Sequence, residues 1–504
     1  MSRYTVFAFA SLLCCVPVAN AGEEPVGILS GGGHESSPLL LSTDAGARRF
    51  MPVGKLRTGD GTYNCTASVI AGADTPSPTR RALILTAGHC VEESDDNAVI
   101  IDRVPDASWS FTPAYFIDSQ SKHVTYGIGR VLYATMKEVD LAVMELTATY
   151  GELAVLGIHP LRLSADDVAP GAPIELVHIP VVDVPEEQQF LRHAACHVDA
   201  SQSIVEGGHP WRWTATMPND CQGVAGGTSG SPVFLQGKAE IAAVLNTTVT
   251  PGYRGCGLGR PCELHDTSLL VPREGTSYAI PTDRIARALR SDGSLDIARL
   301  DDGRGVRLTR TAFSWTSQRI EQVDGEEVPA RWGLRIEEGF PLVRYKTGLA
   351  NTIDCADIAG YSAPLRREDQ PLLGLPVPAQ DGIYAACVIG GSVGGIWQSP
   401  AHATVLLRQI DNTPPTVAPP IEVRDLGERI EVRPGFVLWE LVDLFVKHGP
   451  AASVDCEHAE GYVRDIRTRW YPVDESQPWR FCAYGLDEAG NRGPAATYES
   501  TRHD

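Results

Sequence analysis

The chain of 504 residues carries 43 Lys+Arg against 63 Asp+Glu, a formal net charge of −20, and 43% of its residues are hydrophobic. That length fits two to four domains, and the apolar content is sufficient for packed cores, which argues against wholesale disorder. The acidic balance argues against nucleic acid or anionic membrane as a main partner.

Arg3, an apolar run over 5–19 and the Ala19-Asn20-Ala21 pattern before Gly22 read as a secretory signal peptide spanning 1–21. The run is too short for a membrane span, and no later stretch is long enough, so the mature chain is expected to have none. Residues 22–49 are Gly/Ser-rich without periodicity, an N-terminal arm or propeptide, with Arg48-Arg49 as a processing point. Twelve cysteines, less Cys14 and Cys15 of the leader, leave ten. They fall into sequential pairs, Cys65-Cys90, Cys196-Cys221, Cys256-Cys262, Cys355-Cys387 and Cys456-Cys482. In an exported chain an even set reads as disulfides, and nearest-neighbour pairing keeps each bridge within one unit. No cysteine or histidine cluster has zinc spacing, so no metal site is expected.

From 50 to 295 the chain reads as short strands broken by Gly, Pro, Asn and Asp, among them 67–71, 83–86, 141–146, 174–179, 232–235 and 241–245. Short strands without alternating helices predict an all-β barrel or sandwich. One short helix opens at Pro281-Thr282-Asp283, with Ile285, Ala286, Ala288 and Leu289 on its apolar face, and stops at Asp292-Gly293.

Beyond residue 306 the sequence repeats. Asp354-Cys355 and Asp455-Cys456 each lead to Gly-Tyr, at 360–361 and 461–462, and each second cysteine, Cys387 and Cys482, ends an aromatic-containing strand. A period of about one hundred residues suits a small β-sandwich. Two units are expected, 306–411 and 415–504, joined by the Pro-rich stretch 411–420. Their ends resemble bacterial immunoglobulin-like modules. Six of the nine tryptophans fall here: Trp315, Trp332, Trp397, Trp439, Trp470 and Trp479. Sandwich core is their expected role, with a binding surface for glycan or protein as the alternative.

Three motifs carry the chemistry. Leu83 to Cys90 (LILTAGHC) is an apolar strand ending in a tight turn that presents His89, with Cys90 tying it back to Cys65. Val139 to Met144 (VDLAVM) places one acid, Asp140, at the mouth of an apolar strand. Gly226 to Val233 (GGTSGSPV) sets glycines on both sides of Ser229, allowing a bend that projects the hydroxyl and aims N–H groups inward. A serine hydroxyl is a poor nucleophile and needs a base within reach, a task for His89. Asp140 would fix the histidine tautomer, and the N–H groups of Gly227 and Ser229 would form an oxyanion hole.

The order His, Asp, Ser differs from that of α/β-hydrolases and subtilisin-like enzymes, and Ser231 stands where the hydrolase elbow needs glycine. With spacings of 51 and 89 residues, the motifs TAGHC, DLAV and GTSGSP resemble those of the trypsin-like (chymotrypsin-fold) serine proteases of bacterial type. That resemblance implies a double β-barrel, hydrolysis of protein or peptide substrates through an acyl-enzyme, His89, Asp140 and Ser229 as triad, and no cofactor. Thr228 stands where zymogen-type members have Asp, so the oxyanion turn must be held otherwise, with Cys196-Cys221 as the expected brace. Gly223, Val224, Leu245 and Asn246 are the expected specificity pocket, without charge, which implies an apolar or small side-chain preference. The insert 248–274 is long enough to form a lip over the cleft. His178, His197 and His209 are expected on surfaces or loops. The rival readings are a catalytically inactive protease homologue acting as an extracellular binding or adhesion protein, and an esterase using the same triad.

Overall fold

The computed structural model describes residues 36–500, apart from 73, 93–96, 208–209, 250–255, 266–271, 313, 324 and 438–439. The signal peptide at 1–21, His209 and Trp439 lie outside the described residues.

Seven strands form the first sheet: β1 (Val53–Thr58), β2 (Tyr63–Ile70), β3 (Arg81–Thr86), β4 (Val99–Arg103), β5 (Ser110–Pro113), β6 (Tyr126–Thr135) and β7 (Leu141–Thr149). They pair in the order β4-β6-β5-β1-β2-β3-β7, and β6 also pairs with β7, so six close into a barrel with β4 at its flank. The strands read as unbroken apolar runs because both faces are buried. On β3, Ala82 and Ile84 pack inside this barrel with Ala142, Met144 and Val69. The alternate residues, Leu83 and Leu85, face a second core with Val177, Phe234, Val244 and Ile280 from the next sheet.

That sheet comprises β8 (Arg162–Leu163), β9 (Pro173–His178), β10 (Arg192–His197), β11 (Gln202–Glu206), β12 (Trp211–Asn219), β13 (Pro232–Leu235), β14 (Glu240–Thr248), β15 (Cys262–Glu263) and β16 (Ser277–Pro281). The order is β10-β9-β13-β14-β16-β12-β11-β15, with β8 on β14. An isolated bridge between Val198 and Asn219 draws the tails of β10 and β12 together, curling the sheet back on itself. Its interior holds Leu176, Val233, Ala243, Leu245 and Ala279. The core shared by the two sheets forms a seam, beside which His89, Asp140 and Ser229 lie.

Three local features add to or refine the expected elements. A helix at Tyr150–Val155 follows β7, opened by Thr149 and Glu152 in a reciprocal capping box. The helix expected after Pro281 spans Asp283–Ala288, because Leu289 turns extended and bridges Leu295 around Gly293. Residues 36–49 of the expected arm or propeptide are docked on the second sheet and its flanking loop: Leu40 N–H donates to Leu191 O, His193 N–H donates to Pro38 O, and the Arg49 guanidinium grips Glu175.

The C-terminal half repeats one build. Strands Leu342–Leu349, Gly382–Gly391 and Thr404–Ile410 pair in sequence, as do Asp443–Pro450, Trp479–Leu486 and Ala496–Ser500. In both copies a lysine stands opposite the second cysteine, Lys346 against Cys387 and Lys447 against Cys482. Each lysine caps two carbonyls and covers a tyrosine ring, Tyr361 or Tyr462, whose hydroxyl donates to the first cysteine's carbonyl. Trp315, Trp332 and Trp479 are buried core, while Trp397 and Trp470 lie under arginines. All five expected cysteine pairs are joined, with Cα–Cα separations from 4.9 to 6.2 Å. Such bridges persist in an oxidising compartment. Among the described residues no helix is long and apolar enough to cross a membrane.

Candidate active site

His89 sits in the single turn Gly88–Cys90 that follows β3, and Asp140 immediately precedes β7. Strands β3 and β7 are paired, with Thr86 opposite Ala142, which brings the two residues together. Asp140 is fully buried; its Oδ1 accepts the His89 backbone N–H at 2.8 Å and its Oδ2 lies 2.6 Å from His89 Nδ1. Holding Nδ1 as the donor leaves Nε2 as the basic nitrogen. Gly88 is demanded by this closeness, since a Cβ there would stand 2.1 Å from Thr135 O and 2.8 Å from Asp140 Oδ1. The Cys65–Cys90 bridge anchors the turn to β2, and the Thr58 hydroxyl donates to Cys90 O.

The loop that delivers Asp140 is clamped from two sides. Lys137 Nζ donates to buried Asp301 at 2.6 Å and to His402 O at 2.9 Å. Glu138 pairs with Arg212 of β12, which also donates to Ala350 O at 3.0 Å. Residues of the first C-terminal unit thus close the underside of the acid loop.

Ser229 lies in the bend between 225 and 231. The Ser229 carbonyl accepts Thr66 N–H at 2.8 Å, and Gly230 N–H donates to Leu245 O at 2.7 Å. Gly230 has φ +85°, and a Cβ there would stand 2.0 Å from both Thr66 O and Thr86 Oγ1. The Thr228 hydroxyl donates to Ala225 O at 2.7 Å and the Ser231 hydroxyl to Thr228 O at 2.6 Å. Gly226 O accepts Val181 N–H at 2.7 Å and Val182 N–H at 3.0 Å. A trans peptide carries its C=O and N–H on opposite sides, so this pinning turns the Gly227 N–H away from Val181 and Val182. The bend is therefore held by hydroxyls and backbone amides, with Cys196–Cys221 bracing the segment that enters it. Ser229 Oγ donates to Asn246 O at 3.2 Å. Asn246 in turn donates through Nδ2 to Asp140 O and accepts Ile280 N–H at Oδ1.

His89 and Ser229 line one cavity of about 220 Å³, together with Met136, Trp211, Trp213, Ala225, Gly226, Thr228, Leu258 and Gly259. Of the four residues expected as a specificity pocket, Asn246 lines it. Gly223, Val224 and Leu245 do not. Gly223 packs on Ser37, where a Cβ would meet the hydroxyl at 2.6 Å, and Val224 and Leu245 are buried in the second sheet's core. The walls come instead from β11, β12 and the insert after β14, whose Leu258 and Gly259 reach the cleft. Glu206, at the end of β11, also lines the cavity and is not singled out by sequence. His178, expected near the surface, is fully buried with Nε2 2.8 Å from Ser37 Oγ, and burial pushes its pKa down to about 3, so it is neutral.

Two clusters have metal-like donor groupings among the described residues: Cys65, His89 and Cys90, and Asp301, Asp302 and His402. In the first the two sulfurs are bonded to each other, and in the second Asp301 is committed to Lys137.

The closed six-strand barrel packed against a second curled sheet is the chymotrypsin-type, trypsin-like fold. Residues 65–242 match the family model of the trypsin-like peptidase domain. No curated protein matches the chain at a significant level. Similar solved structures include a thermostable serine protease from an extremophilic microorganism, at 16% identity and TM-score 0.31, covering 46% of this chain and 92% of that one. Protease Anisep from Arthrobacter nicotinovorans is similar at 16% identity and TM-score 0.31, covering 46% of this chain and 90% of its own. A Glu endopeptidase matches at 14% identity and TM-score 0.31, over 48% and 93%.

Proposed function

We propose that this chain is an exported serine endopeptidase that cleaves peptide bonds through an acyl-enzyme on Ser229. The observation that carries this reading is the buried Asp140 carboxylate fixed on His89 Nδ1, in a turn that shares one cavity with Ser229. In the first step the Ser229 hydroxyl leaves the Asn246 carbonyl, gives its proton to His89 Nε2, and its Oγ bonds to the scissile carbonyl carbon. Negative charge develops on the carbonyl oxygen, and the N–H groups of Gly227 and Ser229 are the donors assigned to it. One such donor contributes roughly 3 kcal/mol to the transition state. Collapse breaks the C–N bond, with the proton on His89 passing to the leaving amine. Water then repeats the sequence on the ester, His89 acting first as base and then as acid.

Residues 306–411 and 415–504 are proposed to be immunoglobulin-like modules, and the disulfides together with the leader-like start support export. Hydrolysis of a protein digest, read by mass spectrometry, tests the enzymatic reading. New termini are expected from the parent chain, and Ser229→Ala should lower the rate by about a thousandfold or more. Equal rates for the two chains would overturn the assignment.

A further inference from the structure

Glu206 stands in the cavity that His89 and Ser229 line, with only 4% of its surface exposed. Its two carboxylate oxygens are treated unequally. Oε1 accepts Gly259 N–H at 2.7 Å and the Thr247 hydroxyl at 3.0 Å. Oε2 is buried and accepts no hydrogen bond among the described residues. A buried carboxylate oxygen without a donor is costly, and most such groups in folded proteins have a partner. Neighbouring cations are committed elsewhere: Arg212 pairs with Glu138 and Arg260 with Glu274. The walls beside Glu206 are apolar and aromatic, from Met136, Trp211, Trp213 and Leu258.

We propose that Glu206 is a specificity-determining residue whose Oε2 receives the cationic head of a substrate lysine or arginine, with the aliphatic stem lying against Trp211, Met136 and Leu258. The inference rests on the hydrolytic reading above and adds a substrate class to it. It reverses the uncharged preference expected from Gly223, which packs on Ser37 and does not line this cavity. A cation is favoured over a neutral donor for a chemical reason. Burial pushes the Glu206 carboxyl up to about 7, against the pull of its Gly259 and Thr247 bonds. Its ionised form is therefore available at neutral pH, drawn down by His89 nearby but bonded to no cation among the described residues, and an ammonium or guanidinium supplies both the bonded charge and the missing donors.

The test is equilibrium binding of benzamidine and its neutral isostere benzamide to the full chain, monitored by tryptophan fluorescence at pH 8. Benzamidine should bind about tenfold or more tightly than benzamide, and Glu206→Gln should bring the ratio close to one, with Glu206→Asp restoring part of it. Equal binding of the two probes by the parent chain overturns the proposal, and needs no variant. Peptide hydrolysis by the same preparation separates this from the underlying reading. Discrimination without hydrolysis leaves the cation site standing and removes the protease. Hydrolysis without discrimination, or with no preference for lysine or arginine over norleucine at any substrate position, removes the cation site alone.

Discussion

At the scale of single residues, the seam joins groups whose roles depend on who holds them. Asp140 is fully buried yet accepts two N–H bonds from one histidine, which is the arrangement an ionised acid needs to stay folded away from water. Glu206 is the opposite case, a buried acid with one oxygen unserved. Burial pushes its carboxyl up to about 7 from an ordinary 4.5. The folded state therefore binds this proton more tightly than the unfolded chain, so folding loses free energy as pH rises from about 4.5 to about 7. Glu206→Gln removes the titration. Its stability relative to the parent should shift in the variant's favour by on the order of 3 kcal/mol between pH 5 and pH 8, measured by urea unfolding at both. A difference independent of pH would contradict the environment described for Glu206. The motifs that hold His89, Asp140 and Ser229 are visible in the sequence because their glycines are fixed by geometry: Gly88 by its contact with Asp140, and Gly230 by its contact with Thr66. Glu206 is not legible, because its burial comes from its cross-strand partner Trp211 and from Gly259 of the insert after β14, contacts that no local motif marks.

At the scale of elements, strands are readable where both faces are apolar. The stretches expected at 83–86, 174–179 and 232–235 fall on β3, β9 and β13 within a residue or two. The helix after β7 escapes a sequence reading although Thr149 and Glu152 form its capping box, because Gly151 and a six-residue length give no periodic signal. The docking of 36–49 escapes it too, because it depends on pairing with Leu191 and His193 rather than on local pattern. The turn at 225–231, the proposed oxyanion bend, is held without an acid at position 228. Thr228→Val keeps the shape but deletes the hydroxyl bond to Ala225 O. A neutral hydrogen bond contributes about 1 kcal/mol, so kcat should fall roughly five- to tenfold with KM little changed. A change in KM alone would argue that the bend serves binding rather than the reacting carbonyl.

At the scale of the whole molecule, the two-sheet N-terminal unit is bonded directly to the C-terminal half. Lys137 and Glu138, three and two residues before Asp140, contact groups from 301, 350 and 402 directly or through Arg212. Asn97 exchanges two hydrogen bonds with Val405, and Val205 and Leu264 share a core with Trp315 and Ile383. The repeat in the C-terminal half is legible from its cysteines, but this joint is not, since none of its residues carries a motif. Lys137→Ala leaves Asp301 buried without its partner and should cost about 3–5 kcal/mol in denaturant unfolding, while Arg366→Ala, from an exposed pair with Glu368, should cost under about 1 kcal/mol. Similar losses for the two would contradict a clamped acid loop.

The central claim is that the Ser229 hydroxyl is made nucleophilic by His89 and Asp140. Intact-mass and peptide mapping after exposure to a fluorophosphonate tests it most directly. One covalent adduct per chain, located on Ser229 and abolished by His89→Ala, is the predicted result. A folded, disulfide-intact chain that stays unlabelled, or that labels equally without His89, would contradict it.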